Sequence, residues 1–158
     1  MLRRIIVLSM FALLLSAAPA FSQRWGLGLS VGIEPLGGLP GSDAMLSVNP
    51  PQLPVTLGIG ARVGGDSFQL GTTADWIVVR ENLFSFVNVY AGPGLYLALP
   101  DEFDLGARVP IGLNAFPTDW AELFFEIAPN LAILTDGEVV IPDVGVQSGF
   151  GFRFWFDL

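Results

Sequence analysis

Polar and apolar positions alternate along this chain in long runs. In the last stretch, Phe150, Phe152, Phe154, Phe156 and Leu158 share one face of a strand, and Gly149, Gly151, Arg153, Trp155 and Asp157 share the other, because successive strand side chains point to opposite sides. Eight segments carry this pattern: Arg24–Glu34, Asp43–Asn49 (the weakest), Leu53–Val63, Phe68–Val79, Phe84–Leu99, Phe103–Phe116, Trp120–Leu134 and Val144–Leu158. Turn residues separate them, namely Pro35 to Pro40, Asn49-Pro50-Pro51, Gly64-Gly65-Asp66, Arg80-Glu81-Asn82, Pro100-Asp101-Glu102, Pro117-Thr118-Asp119 and Thr135-Asp136-Gly137. Short connections suit antiparallel hairpins. All segments but Asp43–Asn49 reach the roughly 9–11 residues that a tilted membrane strand needs, and an even strand number is the rule for single-chain barrels. The expected fold is all-β: an eight-stranded antiparallel up-and-down barrel. With both termini on the inner side, loops 35–42, 64–67, 100–102 and 135–142 are expected to point outside, short and acidic.

The apolar rows include Trp25 to Ile33, Ala44 to Val48, Val55 to Val63, and Leu105 to Leu113, each taken at every second residue. The rows between them hold Gly, Asn, Gln, Tyr, Arg and acids. Periodicity alone does not say which face is wet. A soluble lipocalin-like barrel would put Gly26, Gly28, Gly58, Gly60, Gly71, Gly106, Gly112, Gly149 and Gly151 on its solvent face, where glycine weakens strands without return. Facing a narrow eight-stranded interior, the same glycines make room for Arg and Tyr. Charge agrees with this second arrangement. Arg62, Arg108 and Arg153 share the inward face with Asp75, Asp104, Glu122 and Glu126. Opposite charges there can pair, whereas an unpaired one carries a large desolvation cost. Trp25, Trp76, Trp120 and Phe84 lie near segment ends, where a membrane barrel has its aromatic girdle. Asn114, facing the lumen, is expected to tolerate a carboxylate better than Val109, facing lipid.

The first 22 residues read as a separate message. Arg3 and Arg4 precede an apolar run from Ile5 to Leu15, and small residues follow with Ala18-Pro-Ala20 and Ala20-Phe-Ser22 as cleavage sites. The run is short for a span of roughly 20 residues, so residues 1–22 are read as a signal peptide and 23–158 as the barrel. The mature chain then has 5 Arg against 15 acids, with no Lys, His or Cys. Nucleic acid lacks a basic footprint to bind, and no disulfide framework exists. After residue 22 no run of about 18 apolar residues suggests a membrane helix.

Candidate chemistry is sparse. Without His there is no Ser–His nucleophile and no His-ligated metal, so no enzyme activity and no cofactor are expected. Glu122 and Glu126 would sit roughly 13 Å apart on a strand, too far for glycosidase geometry, and are read as partners for interior Arg. Gly26-Leu-Gly28 lacks the third glycine and the helix of a dinucleotide site. Asp101, Glu102 and Asp104 lack the spaced ligand loop of a calcium site. A pore is the remaining hypothesis, and because Arg62, Arg108, Arg153, Tyr90, Tyr96, Phe124 and Trp155 are expected to fill the interior, it is expected to be at most a narrow or gated conductance.

The runs Leu105-Gly-Ala-Arg-Val-Pro-Ile-Gly-Leu113, Trp120 through Pro129, and Gly149-Phe-Gly-Phe-Arg-Phe-Trp-Phe156 resemble small outer-membrane barrels of spirochaetes, a family compared in fold with the transmembrane domain of OmpA and with OmpX. The likeness covers roughly residues 53–158. It implies an eight-stranded barrel in the outer membrane, with adhesion, membrane integrity or small-pore activity suggested for relatives. The end of the chain, with Phe152, Phe154, Phe156 and Leu158 in phase, also resembles the signal read by barrel-insertion machinery, although such signals usually end on an aromatic. The expectation is a monomeric structural or surface barrel whose partners are outer-membrane lipids and, during insertion, that machinery. Any surface ligand is unspecified. The alternatives are a narrow or gated, porin-like pore and a soluble periplasmic binder of an apolar ligand.

Overall fold

The structure is a computed structural model that describes residues 24–33, 36–51, 53–64, 67–100, 103–135 and 138–157. The expected signal peptide and Leu158 lie outside these residues. The strands are β1 (Trp25–Gly32), β2 (Ala44–Asn49), β3 (Val55–Gly64), β4 (Ser67–Trp76), β5 (Val79–Phe84), β6 (Val87–Ala91), β7 (Gly94–Pro100), β8 (Asp104–Arg108), β9 (Ile111–Thr118), β10 (Ala121–Thr135) and β11 (Glu138–Phe156). All pair antiparallel. Eight of them, in the order β1-β2-β3-β4-β7-β8-β10-β11, close into a ring through the β11–β1 pairing, and β9, β6 and β5 extend from β10.

The extra strands are continuations of ring strands. β5 follows β4 after Ile77-Val78, β6 precedes β7 across Gly92-Pro93, and β9 follows β8 across Val109-Pro110. The eight segments of the sequence are therefore eight passes along the wall, three of them interrupted at neighbouring positions. Proline lacks the N–H that a ladder needs. Backbone bonds step around the break, with Trp76 donating to Pro93, Gly92 to Pro110 and Val109 to Pro129. The alternation survives it, since Tyr90, Gly92, Gly94 and Tyr96 are all buried, as are Arg108, Pro110, Gly112 and Asn114.

Two boundaries differ from the expected ones. Arg80-Glu81-Asn82 is strand, and the turn falls at Ser85-Phe86, where Ser85 takes a φ of 48°. Pro117 and Thr118 belong to β9, where a register shift opposite Ala121–Leu123 accommodates the proline.

Burial is inverted relative to a water-soluble domain. Leu27, Leu46, Ile59, Phe68, Leu95, Val109, Leu113, Ile133 and Phe150 are exposed along the wall, whereas Asp75, Arg108, Asn114, Glu122 and Arg153 are buried. Glycines on the inner face receive the large rings. Tyr90 lies opposite Gly112, Tyr96 opposite Gly106 and Phe124 opposite Gly151. A Cβ on Gly112 would stand 2.2 Å from Tyr90 Cζ, so the absent side chain is the slot that holds the ring.

The connection between β1 and β2 corrects an expectation. Residues 36–42 do not project outward but fold into the barrel mouth. Ser148 N–H donates to the Gly38 carbonyl at 2.6 Å, Leu39 lies over Gly149, and a Cβ on Gly71 would stand 1.7 Å from the Pro40 carbonyl oxygen. Ser42 is fully buried. Within the expected loop, Pro35 lies outside the described residues, as does Glu34 beside it.

Candidate functional site

Among the described residues, the polar side chains that meet inside the barrel form two clusters, with the Arg62–Asp43 pair and an Asp104–Tyr96–Thr135 trio at the rim. The first cluster centres on Arg108 at the end of β8. Its Nε lies 3.2 Å from Asp75 Oδ1 on β4, its Nη2 bonds Glu126 on β10, and its Nη1 donates to Gln147 Oε1 on β11 at 2.9 Å. Tyr90 OH donates to Glu126 Oε2 at 2.9 Å. One guanidinium thus ties three walls of the ring together, which its planar fork allows and a lysine would not match.

The second cluster centres on Glu122, 1% exposed. Oε2 accepts from Arg153 at 3.0 Å and from the Trp155 indole at 2.7 Å, and Oε1 accepts from Asn114 at 2.6 Å. Asn88 and Asn82 continue the chain toward the end of the barrel that holds the termini. The Arg153 guanidinium also stands 4.8 Å from the Phe124 ring centroid and 5.7 Å from that of Trp155, so its remaining faces meet π-systems. A cavity of about 10 Å³, the size of one water, lies between the clusters, bordered by Thr56, Asp75, Tyr90, Glu122, Glu126 and Arg153.

The seven residues expected to form one lumen network therefore divide. Asp75, Arg108, Glu122, Glu126 and Arg153 meet in the middle. Arg62 sits at the outer rim and pairs with Asp43 at 2.7 Å, both partly exposed. Asp104 takes the Tyr96 hydroxyl and the Thr135 hydroxyl, each at 3.2 Å. Its sequence neighbours Asp101 and Glu102 are outside the described residues. Glu122 and Glu126 sit in separate clusters, each held by an arginine. Among the described residues no group of acids is placed to hold a metal ion.

Gln147 and Asp43 were not foreseen as partners. The alternation that places Gly149 inward extends two residues back to Gln147. Asp43 needed the β2–β3 register, with Ala44 opposite Ala61, which no local pattern prints. At the chain's end, Phe152, Phe154 and Phe156 are all partly exposed on the outer face, and Trp120 stacks on Phe154 with centroids 5.7 Å apart. Trp25 stands opposite Phe156 at that same end.

Comparison with protein-family models, with curated proteins and with solved structures found no match to this chain.

Proposed function

We propose that this chain is a small integral outer-membrane β-barrel with a structural or surface role and no enzyme activity, monomeric, with lipids as its surroundings. The observation that carries the reading is the inverted burial. The outer rows are apolar along the wall, while two guanidiniums and three carboxylates are paired inside. In water the exposed apolar band would be a large uncovered patch, of the kind that marks membrane or partner contact. In a bilayer it is the wall such a barrel requires. The leader-like residues 1–22 support export, and the in-phase Phe152, Phe154 and Phe156 support recognition by insertion machinery. The resemblance to spirochaetal barrels, and to OmpA and OmpX beyond their common eight-stranded form, rests on the residue runs alone. A soluble binder of an apolar ligand is disfavoured because Tyr90, Tyr96, Phe124, Trp155 and the inward-folded 36–42 loop occupy the interior.

The test is a boiled-versus-unboiled gel shift of the mature chain refolded with detergent or lipid vesicles. The expected result is a mobility change on boiling that appears only when amphiphile was present during refolding. A folded chain obtained without amphiphile, and showing no shift, overturns the reading.

A further inference from the structure

The wall of the barrel is not the same height all round. β10 and β11 have 15 and 19 residues, whereas β1 and β2 have 8 and 6. A ladder as short as β2 covers roughly 15 Å of bilayer, at a rise of about 3.3 Å per residue and a tilt near 40°. The apolar band of such a barrel is about 25 Å tall. At the outer end β1 stops at Gly32, level with Gly149 of β11, and β2 begins at Ala44, level with Ala61 of β3. Past Gly32 the chain turns, with Leu36 N–H donating to the Ile33 carbonyl at 2.8 Å. Residues 36–42 then fold into the mouth instead of raising the wall.

The result is a notch, two strands wide, between taller neighbours. Among the described residues no strand lies beside β11 on its β1 side from Glu138 to Gly145, and β3 pairs with β4 alone beyond Ala61. Free strand edges do not occur in hydrocarbon, where unpaired N–H and C=O groups meet no water. Lipid therefore has to end at the floor of the notch, and the partly exposed Arg62–Asp43 pair stands at its β3 corner. The neighbouring wall needs lipid higher up. Val144 of β11 is 74% exposed, and Leu131 opposite it and Ile133 are exposed on β10. Along β11, Val144 lies beyond Gly149 by a rise of roughly 13 Å of bilayer at the same tilt.

We infer that the notch is a lipid-thinning site. Phospholipid of the outer-facing leaflet sinks to its floor at Val31 and Ala44, while the same leaflet stands at full height against β10 and β11. The inference rests on the membrane reading above and names the lipid that this surface fits, one with short acyl chains. Thinning is an ordinary response of a bilayer to a short apolar wall. The outer row of the notch strands holds Leu27, Leu29, Val31, Ala44, Leu46 and Val48. It has no polar side chain that would specify a protein partner.

The chain has no cysteine, so Val31→Cys, Leu131→Cys and Leu53→Cys can each carry one NBD fluorophore, attached before refolding into dioleoylphosphatidylcholine vesicles. The gel shift is measured first on every sample, and quenching by aqueous iodide and by doxyl-labelled lipid is then read. Val31 is level with Phe150 of β11, and Leu131 with Val144 further toward the outer end, so a flat bilayer would bury the Val31 label more deeply. The expected result is the reverse. Iodide quenches the label at Val31 severalfold more than that at Leu131, the label at Leu53 near the termini stays within reach of iodide, and the difference shrinks in dilauroylphosphatidylcholine. Ala44→Cys is the second probe of the floor if Val31→Cys does not give the shift. Absence of the shift in the wild-type chain sinks the membrane reading itself. With a normal shift, iodide quenching at Leu131 as strong as at Val31 overturns the notch alone. A Leu53 label reached only by doxyl lipid also overturns it, because the whole barrel has then tilted. A Val31 label reached by neither quencher overturns it in favour of a second copy covering the notch.

Discussion

Glu122 and Arg153 are direct cross-strand neighbours on β10 and β11 and form an ion pair at 3.0 Å in which both side chains are more than nine-tenths buried. Removing one partner leaves the other charge buried and unpaired, a change that typically costs about 3–5 kcal/mol. Glu122→Ala is therefore expected to lower the urea midpoint of the folded barrel sharply, by destabilisation of that order. The double variant Glu122→Ala, Arg153→Met should lose much less than the sum of the two singles. Additive losses would mean that the pair contributes nothing as a pair.

The wall and the lumen should respond in opposite ways to an added carboxylate. Val109 is 48% exposed on the outer face at the strand break, and charge on a lipid face is costly near the midplane, up to about 2–4 kcal/mol for the basic residues and less for acids. Asn114, expected from its inward position to accept a carboxylate, instead donates to Glu122 at 2.6 Å, so an aspartate there would face a like charge. Gln147 is the better comparison, because its Oε1 already accepts from Arg108. Val109→Asp should reduce insertion into vesicles, measured as the shifted fraction on gels, while Gln147→Glu should insert like wild type. Equal yields for the two variants would contradict the facing assignment.

The glycine slots give a third expectation. A Cβ on Gly112 would stand 2.2 Å from Tyr90 Cζ and 2.4 Å from its hydroxyl oxygen. Gly112→Ala should displace the ring and its bond to Glu126, at the roughly 1–3 kcal/mol typical of overpacking. Tyr90→Leu in the same chain should recover part of that loss in urea titration. No recovery would show that the alanine acts through backbone freedom rather than through the ring.

The ring of eight passes was legible because period-two alternation survives the breaks at Gly92-Pro93 and Val109-Pro110. Even the weakest segment forms β2, with Ala44, Leu46 and Val48 outward and Met45, Ser47 and Asn49 inward. What pattern could not show was where passes break. Pro93 and Pro110 keep phase while removing ladder donors, so the interruption is invisible to alternation and clear only in the hydrogen bonds.

The interior was legible as a set of facing residues but not as a set of pairs. Arg108, Arg153, Asp75, Glu122 and Glu126 were placed inward correctly, yet which charge meets which depends on stagger between strands. The registers show Glu122 level with Arg153 and Glu126 level with Gly149. Arg62 and Asp104 have the right facing too, but their height along the barrel puts them at the rim with partners of their own. Loop 35–42 misled for a related reason. Its prolines and glycines mark a turn, and nothing local says that Gly71 and Gly149 on distant strands leave a seat for it.

That seat can be tested with a single cysteine, because the chain has none of its own. Ser42 is 0% exposed beneath the inward-folded loop, so Ser42→Cys in the folded barrel should resist a water-soluble maleimide until the protein is unfolded. On β4, a Cβ on Gly71 would stand 1.7 Å from the loop's Pro40 carbonyl oxygen, so there is no room for one. Adding Gly71→Ala to Ser42→Cys should push the loop off its seat and make the thiol react in the folded state, while the gel shift that reports the closed ring persists. A thiol that stays protected in the double variant would place the loop's anchor elsewhere, with the Ser148–Gly38 backbone bond as the next position to break. A thiol that reacts without Gly71→Ala would show that the loop leaves the mouth on its own.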